Sequence, residues 1–105
     1  MDAIADKKGE DILLLDIRSL TPFADYFVIG SGTSERQLKA LIDGLEDVMR
    51  QRHKRRLLSV EGRAESGWVL LDYGDIVVHL FSPEKRAFYD LEGLWRDAKT
   101  VVRIQ

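Results

Sequence analysis

The run Gly30-Ser31-Gly32-Thr33-Ser34 holds the residues best suited to grip an anion. Two glycines let the backbone turn sharply, and a helix starting there would aim backbone N–H groups and a positive dipole end at a phosphate. The specific signatures fail. A dinucleotide fingerprint needs a third glycine where Glu35 stands, and a P-loop needs a Gly-Lys-Ser/Thr ending that is missing. A nucleotide- or phosphate-binding protein or enzyme built on Gly30 to Ser34 is therefore one reading. A tight, capped strand-to-helix connection is the plainer one.

The rest of the catalytic inventory is thin. His53 and His79 are the only histidines, and neither opens a metal-ligand spacing or belongs to a Ser-His-acid or Glu-x-x-His arrangement. There is no cysteine, hence no disulfide, thiolate zinc site or cysteine nucleophile. Asp72 and Asp75 flank Tyr73-Gly74, where turn chemistry explains two aspartates better than a paired-carboxylate site does. We expect no catalytic residue, metal or cofactor.

Binding chemistry is richer. Arg50 to Arg56 carries five Lys or Arg and no acid. It reads either as a solvated helix end whose cations complement the dipole, or as a rim in which Arg52, Lys54, Arg55 and Arg56 meet RNA phosphates. A hairpin of Trp68 to Asp72 and Asp75 to Phe81 about a two-residue Tyr73-Gly74 turn pairs Asp72 with Asp75, Leu70 with Val77 and Trp68 with His79. One face is then Val69, Leu71, Ile76, Val78 and Leu80, all aliphatic and destined for the core. The other is Trp68, Leu70, Asp72, Val77, His79 and Phe81, apolar but studded with polar groups. Such a face suits a protein partner, or a second helix layer supplying Phe88, Leu91 and Trp95.

The elements that must position these residues follow from periodicity. Ile12 to Ile17 and Tyr26 to Ile29 read as strands, as do Leu57 to Val60 and the two hairpin arms. Ser34 caps a helix with Gln37 reaching back, and Leu38, Leu41, Ile42, Leu45, Val48 and Met49 recur on one stripe. Glu35 with Lys39 and Glu46 with Arg50 form acid-first pairs four residues apart. Ser82-Pro83 starts a second helix presenting Ala87, Phe88, Leu91, Leu94 and Trp95.

This order describes one mixed α/β (α+β) domain over residues 1–105, a five-stranded mixed sheet with flanking helices. Its core runs from about residue 7 to 98, and 99–105 is a short final strand or a loose tail. With 105 residues, 45% of them apolar, the chain suffices for a single core that buries roughly 60 to 70% of the unfolded surface. A formal charge of −2 argues against a global-charge nucleic-acid binder. No apolar run approaches the roughly 20 residues of a membrane span, and Met1 to Gly9 lacks a signal core, so a cytoplasmic protein is expected.

Several segments in order resemble the ribosomal silencing factor family, also called Iojap-related. They are Ala24-Asp25-Tyr26-Phe27-Val28-Ile29 with Gly30 to Ser34, Glu61-Gly62, Trp68, Asp72-Tyr73-Gly74-Asp75-Ile76-Val77-Val78-His79, and Tyr89-Asp90-Leu91-Glu92-Gly93-Leu94-Trp95. The likeness spans about Lys7 to Ala98 and departs at the ends, with a shortened opening helix and an unpatterned tail. It implies a nucleotidyltransferase-like sheet without that activity, since Gly30-Ser31 has no accompanying Asp-x-Asp strand pair. It also implies binding to ribosomal protein L-fourteen on the large subunit, a block on subunit joining, a role in large-subunit maturation, and homodimers when free. On this reading Trp68, Leu70 and Asp72 contact the ribosomal protein with Tyr73 and His79 nearby, and the basic stretch reaches ribosomal RNA.

Overall fold

The computed structural model describes Ile4 and residues 9–104. The opening segment expected as a shortened helix, Ile4 apart, lies outside the described residues. The elements are β1 (Glu10–Asp16), β2 (Tyr26–Ser31), α1 (Glu35–Gln51), β3 (Ser59–Arg63), a 3-10 turn (Ala64–Ser66), β4 (Trp68–Asp72), β5 (Ile76–Phe81), α2 (Pro83–Tyr89), α3 (Leu91–Leu94) and β6 (Lys99–Ile104). Six strands form one sheet in the order β3-β4-β5-β2-β1-β6, antiparallel except for the central β2–β5 pair. The mixed-sheet domain is as expected, but the sheet has six strands rather than five. Lys99 to Ile104 pairs with β1 through a register shift between Leu14 and Leu15, which places consecutive Val101 and Val102 in an irregular, exposed edge.

Both faces of the sheet carry apolar side chains, which explains the uninterrupted run in β1. Ile12 and Leu14 join Val28, Val69, Leu71, Val78 and Leu80 beneath α1, whose Leu38, Leu41 and Leu45 are buried. At about 1.5–3 kcal/mol for each fully buried leucine, this stripe anchors α1 far more firmly than its surface ion pairs do. Leu13, Leu15 and Ile17 point the other way, to Ile29 and Phe81, with Phe27, Val77, Leu91 and Trp95 packed around them. Ser34 caps α1 by accepting from the Gln37 N–H at 3.1 Å, while Gln37 Oε1 accepts from the Thr33 N–H at 2.6 Å. Glu35 meets Lys39 at 3.2 Å, but Arg50 takes Asp47 at 2.8 Å instead of Glu46.

The second expected helix is broken. Asp90 adopts φ 45° between α2 and α3, and its side chain caps α3 at Gly93 N–H. The break turns Leu91 and Trp95 onto the sheet and leaves Phe88 and Leu94 76% and 74% exposed. Among the described residues no helix is long and apolar enough to cross a membrane.

Candidate functional site

The β4–β5 register differs from the one expected for a Tyr73-Gly74 turn. Trp68 pairs with Phe81, Leu70 with His79 and Asp72 with Val77. The tip is Gly74-Asp75, with Gly74 at φ 94° as a turn with glycine in its first central position requires. Asp72 Oδ1 accepts the Gly74 N–H at 2.8 Å, and Asp75 receives the Arg55 guanidinium, which also donates to the Tyr73 carbonyl at 3.1 Å. Both aspartates thus serve the turn. A shift of two residues preserves side-chain parity, so the expected separation of faces survives.

On the face away from α1, Trp68, Leu70 and Asp72 stand in a row along β4 with His79 opposite Leu70. Tyr73 is not among them. It is 5% exposed in the cluster beneath α1, because odd positions of β4 face the helix; its placement beside the docking residues is corrected. A groove of about 430 Å³ runs over this face, with Leu70, Val77, His79 and Phe27 in its floor. Trp95 forms one wall, and Phe23 and Leu58, 90% and 66% exposed, the other. Its charged lining is Glu61 and Asp72, with no Lys or Arg. The helix layer therefore covers only part of the face. Leu91 and Trp95 pack on it, and Phe88 does not.

His79 is the chemical oddity of the groove. It is 6% exposed, edge-on to Phe27 at 5.1 Å and stacked beside Phe81 at 6.1 Å, and neither ring nitrogen has a hydrogen-bond partner. Burial lowers its pKa to about 4, so the imidazole is neutral near pH 7, with one donor and one acceptor nitrogen both buried and unpaired. Trp68 stacks on Phe81 at 6.5 Å and meets Tyr89 at 5.7 Å, extending the apolar surface towards Phe88.

The glycine loop is committed to the fold. Gly32 N–H donates to the Phe81 carbonyl at 2.9 Å, and a Cβ on Gly32 would lie 3.0 Å from Leu38. Ser31 Oγ accepts from Arg86 at 2.8 Å. The space before the α1 N-terminus is lined by Glu35, Glu65 and Glu84 without a cation, although Lys39 bridges the first two. That arrangement repels phosphate and favours the capped connection. The sequence gives no sign of Arg86, which is 8% exposed and ties α2 to Asp11 O at 2.6 Å and to Glu92 at 2.7 Å. A charged residue on a short helix has no periodic signal that would reveal it.

Of the basic stretch, Lys54, Arg55 and Arg56 line a second groove on the opposite side of the sheet, with Arg50 and Tyr73, while Arg52 stands outside it. Arg55 is spent on Asp75.

Residues 1–105 match the family described as "Ribosomal silencing factor during starvation". The ribosomal silencing factor RsfS of Halalkalibacterium halodurans is 41% identical over 101 residues, 96% of this chain and 86% of that protein. The mouse protein named "Mitochondrial assembly of ribosomal large subunit protein 1" is 35% identical over 94 residues, 88% of this chain and 41% of its own. A crystal structure of a Chromobacterium violaceum protein superposes with a TM-score of 0.84 at 37% identity, covering 90% of this chain and 78% of that one.

Proposed function

The chain belongs to the ribosomal silencing factor family, and from that premise we propose that it binds ribosomal protein L-fourteen on the large subunit and so blocks small-subunit joining. The observation that carries this reading is the open, apolar groove over Leu70, Val77 and Trp95, bordered by carboxylates and floored by an unpartnered imidazole, with Trp68 outside its lining but on the same face of β4. An apolar surface with a large aromatic residue at its margin is what a protein partner covers, and an acidic border suits a basic ribosomal protein. Trp68, Leu70 and Asp72 make the contact, with His79 bonding a polar group that enters the groove. The mouse relative's name supports the choice of subunit and a further role in large-subunit maturation.

The mechanism is steric exclusion, without turnover. A factor present at about a hundred times its dissociation constant occupies about 99% of its sites. Off the ribosome the same face pairs two copies, so self-association and ribosome binding compete. The bacterial relative supports a cytoplasmic location. Descent from a nucleotidyltransferase-like fold without its activity is supported by Gly30-Ser31 at the end of β2 and by the missing Asp-x-Asp.

Co-sedimentation with isolated large and small subunits, separately and mixed, tests the proposal. Recovery with large subunits and fewer joined ribosomes is expected. Recovery with neither subunit, or undiminished joining, would overturn it.

A further inference from the structure

Behind the sheet, the end of α1 and the β4–β5 turn enclose an open groove of about 510 Å³. Arg50, Lys54, Arg55, Arg56, Leu57, Tyr73 and Glu46 line it. Four of these residues are cations and one is an acid, although the chain as a whole is negative. Arg55 is neutralised by Asp75, and Arg50 touches Asp47 in an exposed pair. Lys54 and Arg56 have no ion pair or side-chain hydrogen bond among the described residues. Their placement is not that of a loose tail. Lys54 takes φ 54° and Arg55 N–H returns to the Met49 carbonyl at 2.8 Å, winding the basic residues back over the last turn of α1.

A second observation points into the same groove. Tyr73 is 5% exposed, its ring belongs to the core beneath α1, and its hydroxyl has no hydrogen-bond partner among the described residues. The ring is buried while the hydroxyl borders the open groove, where a ligand can reach it. Burial and then the Glu46 charge push its pKa up, so the hydroxyl stays a donor.

We infer that this groove is a phosphate-binding site in which Lys54, Arg56 and Arg50 hold a phosphate group against the Tyr73 hydroxyl, the phosphate belonging to an RNA backbone or to a free nucleotide. An ammonium, guanidinium groups and a phenolic O–H give the mixed donor set that phosphate oxygens accept from, and the unpaired cations outnumber Glu46. The inference rests on the ribosome reading only for the RNA source of the phosphate. It uses the opposite face of the sheet from the protein-docking groove.

The test is fluorescence anisotropy of a labelled single-stranded oligouridylate with the full chain, titrated in KCl between about 50 and 200 mM. Paired Lys54→Gln and Arg56→Gln substitutions should weaken binding about tenfold at the lower salt and flatten the slope of log K against log salt by about 1.4, two contacts at about 0.7 each. Arg52→Gln, outside the groove, should change affinity less than twofold. Tyr73→Phe keeps the ring and should lose a few-fold. ATP that displaces the oligonucleotide beyond matched KCl assigns the site to free nucleotide; displacement equal to KCl assigns it to backbone; either supports a phosphate site. Absence of binding at the lower salt, or an Arg52→Gln loss equal to that of the pair, would overturn it. No ribosomal protein is present in this assay, so failure here leaves the docking proposal standing, and failure to sediment with large subunits leaves this site standing.

Discussion

Acid should destabilise this protein through His79 from about pH 6.5 downwards. In the unfolded chain the imidazole has a pKa near 6.5, whereas in the fold, hemmed in by Phe27 and Phe81, burial lowers it to about 4. Above pH 6.5 both states are neutral and the residue costs nothing. Below it the unfolded chain takes a proton that the folded chain refuses, so stability falls with pH until the folded imidazole also titrates near 4. Each unit of displacement corresponds to about 1.4 kcal/mol, which makes the whole loss about 3 kcal/mol. Urea unfolding of the wild type and of His79→Phe, at about pH 7 and about pH 4.5, isolates this contribution. The wild type should lose between about 2 and 3 kcal/mol more than the variant across that interval. Repacking around phenylalanine shifts the variant equally at both pH values and cancels, as do carboxylates such as Asp16, whose pKa Arg18 holds at about 2. Parallel losses would refute the reasoning, because they would mean that the imidazole accepts a proton in place.

Three other substitutions probe the remaining architecture. Trp68→Ala should weaken binding to L-fourteen by at least about 2 kcal/mol in calorimetric titration, and a loss under about 1 kcal/mol would remove Trp68 as a hot spot. Arg86→Met leaves Asp11 O, Ser31 and Glu92 without their buried cation and should cost about 3 kcal/mol or more in urea unfolding, partly restored by adding Glu92→Gln; an unchanged midpoint would show that the network is dispensable. Gly62→Ala faces both a φ of 80° and a Cβ that would collide with the Trp68 carbonyl oxygen and lie 3.1 Å from its ring, so beyond about 1–2 kcal/mol of backbone strain it should displace the indole and shift its fluorescence; an unaltered spectrum with wild-type stability would contradict that geometry.

What the sequence disclosed, and what it hid, divides along physical lines. The faces of β4 and β5 were readable because side-chain parity depends only on alternation, which Val69, Leu71, Val78 and Leu80 display plainly. Their register was not, because Tyr73-Gly74 and Gly74-Asp75 are both acceptable turn centres and the choice falls to Asp72 bonding Gly74 and to Arg55 bonding Asp75 and the Tyr73 carbonyl, contacts made across the fold. The stripe on α1 was legible from end to end. The break at Asp90 was not, since neither glycine nor proline marks it, and with it went the exposure of Phe88 and Leu94. Lys99 to Ile104 lacked a strand pattern because it is an exposed edge with adjacent valines and an irregular pairing to β1. Trp68, Leu70, Asp72 and His79 share one face as alternation requires, with Leu70, Asp72 and His79 lining the groove and Trp68 outside it, while Tyr73 went to the other face for the same reason.

The pairing of Ile12 with Ile104 fixes where the edge strand ends relative to the groove. The first residues of β1 and the last residues of β6 lie side by side, at one corner of the sheet. The groove over Leu70 and His79 lies towards the diagonal corner, where Asp72, Gly74 and Phe23 line it. With strands spaced about 4.8 Å apart, β6 and β3 stand roughly 24 Å from one another. The end of β6 at Ile104 therefore stands away from the groove.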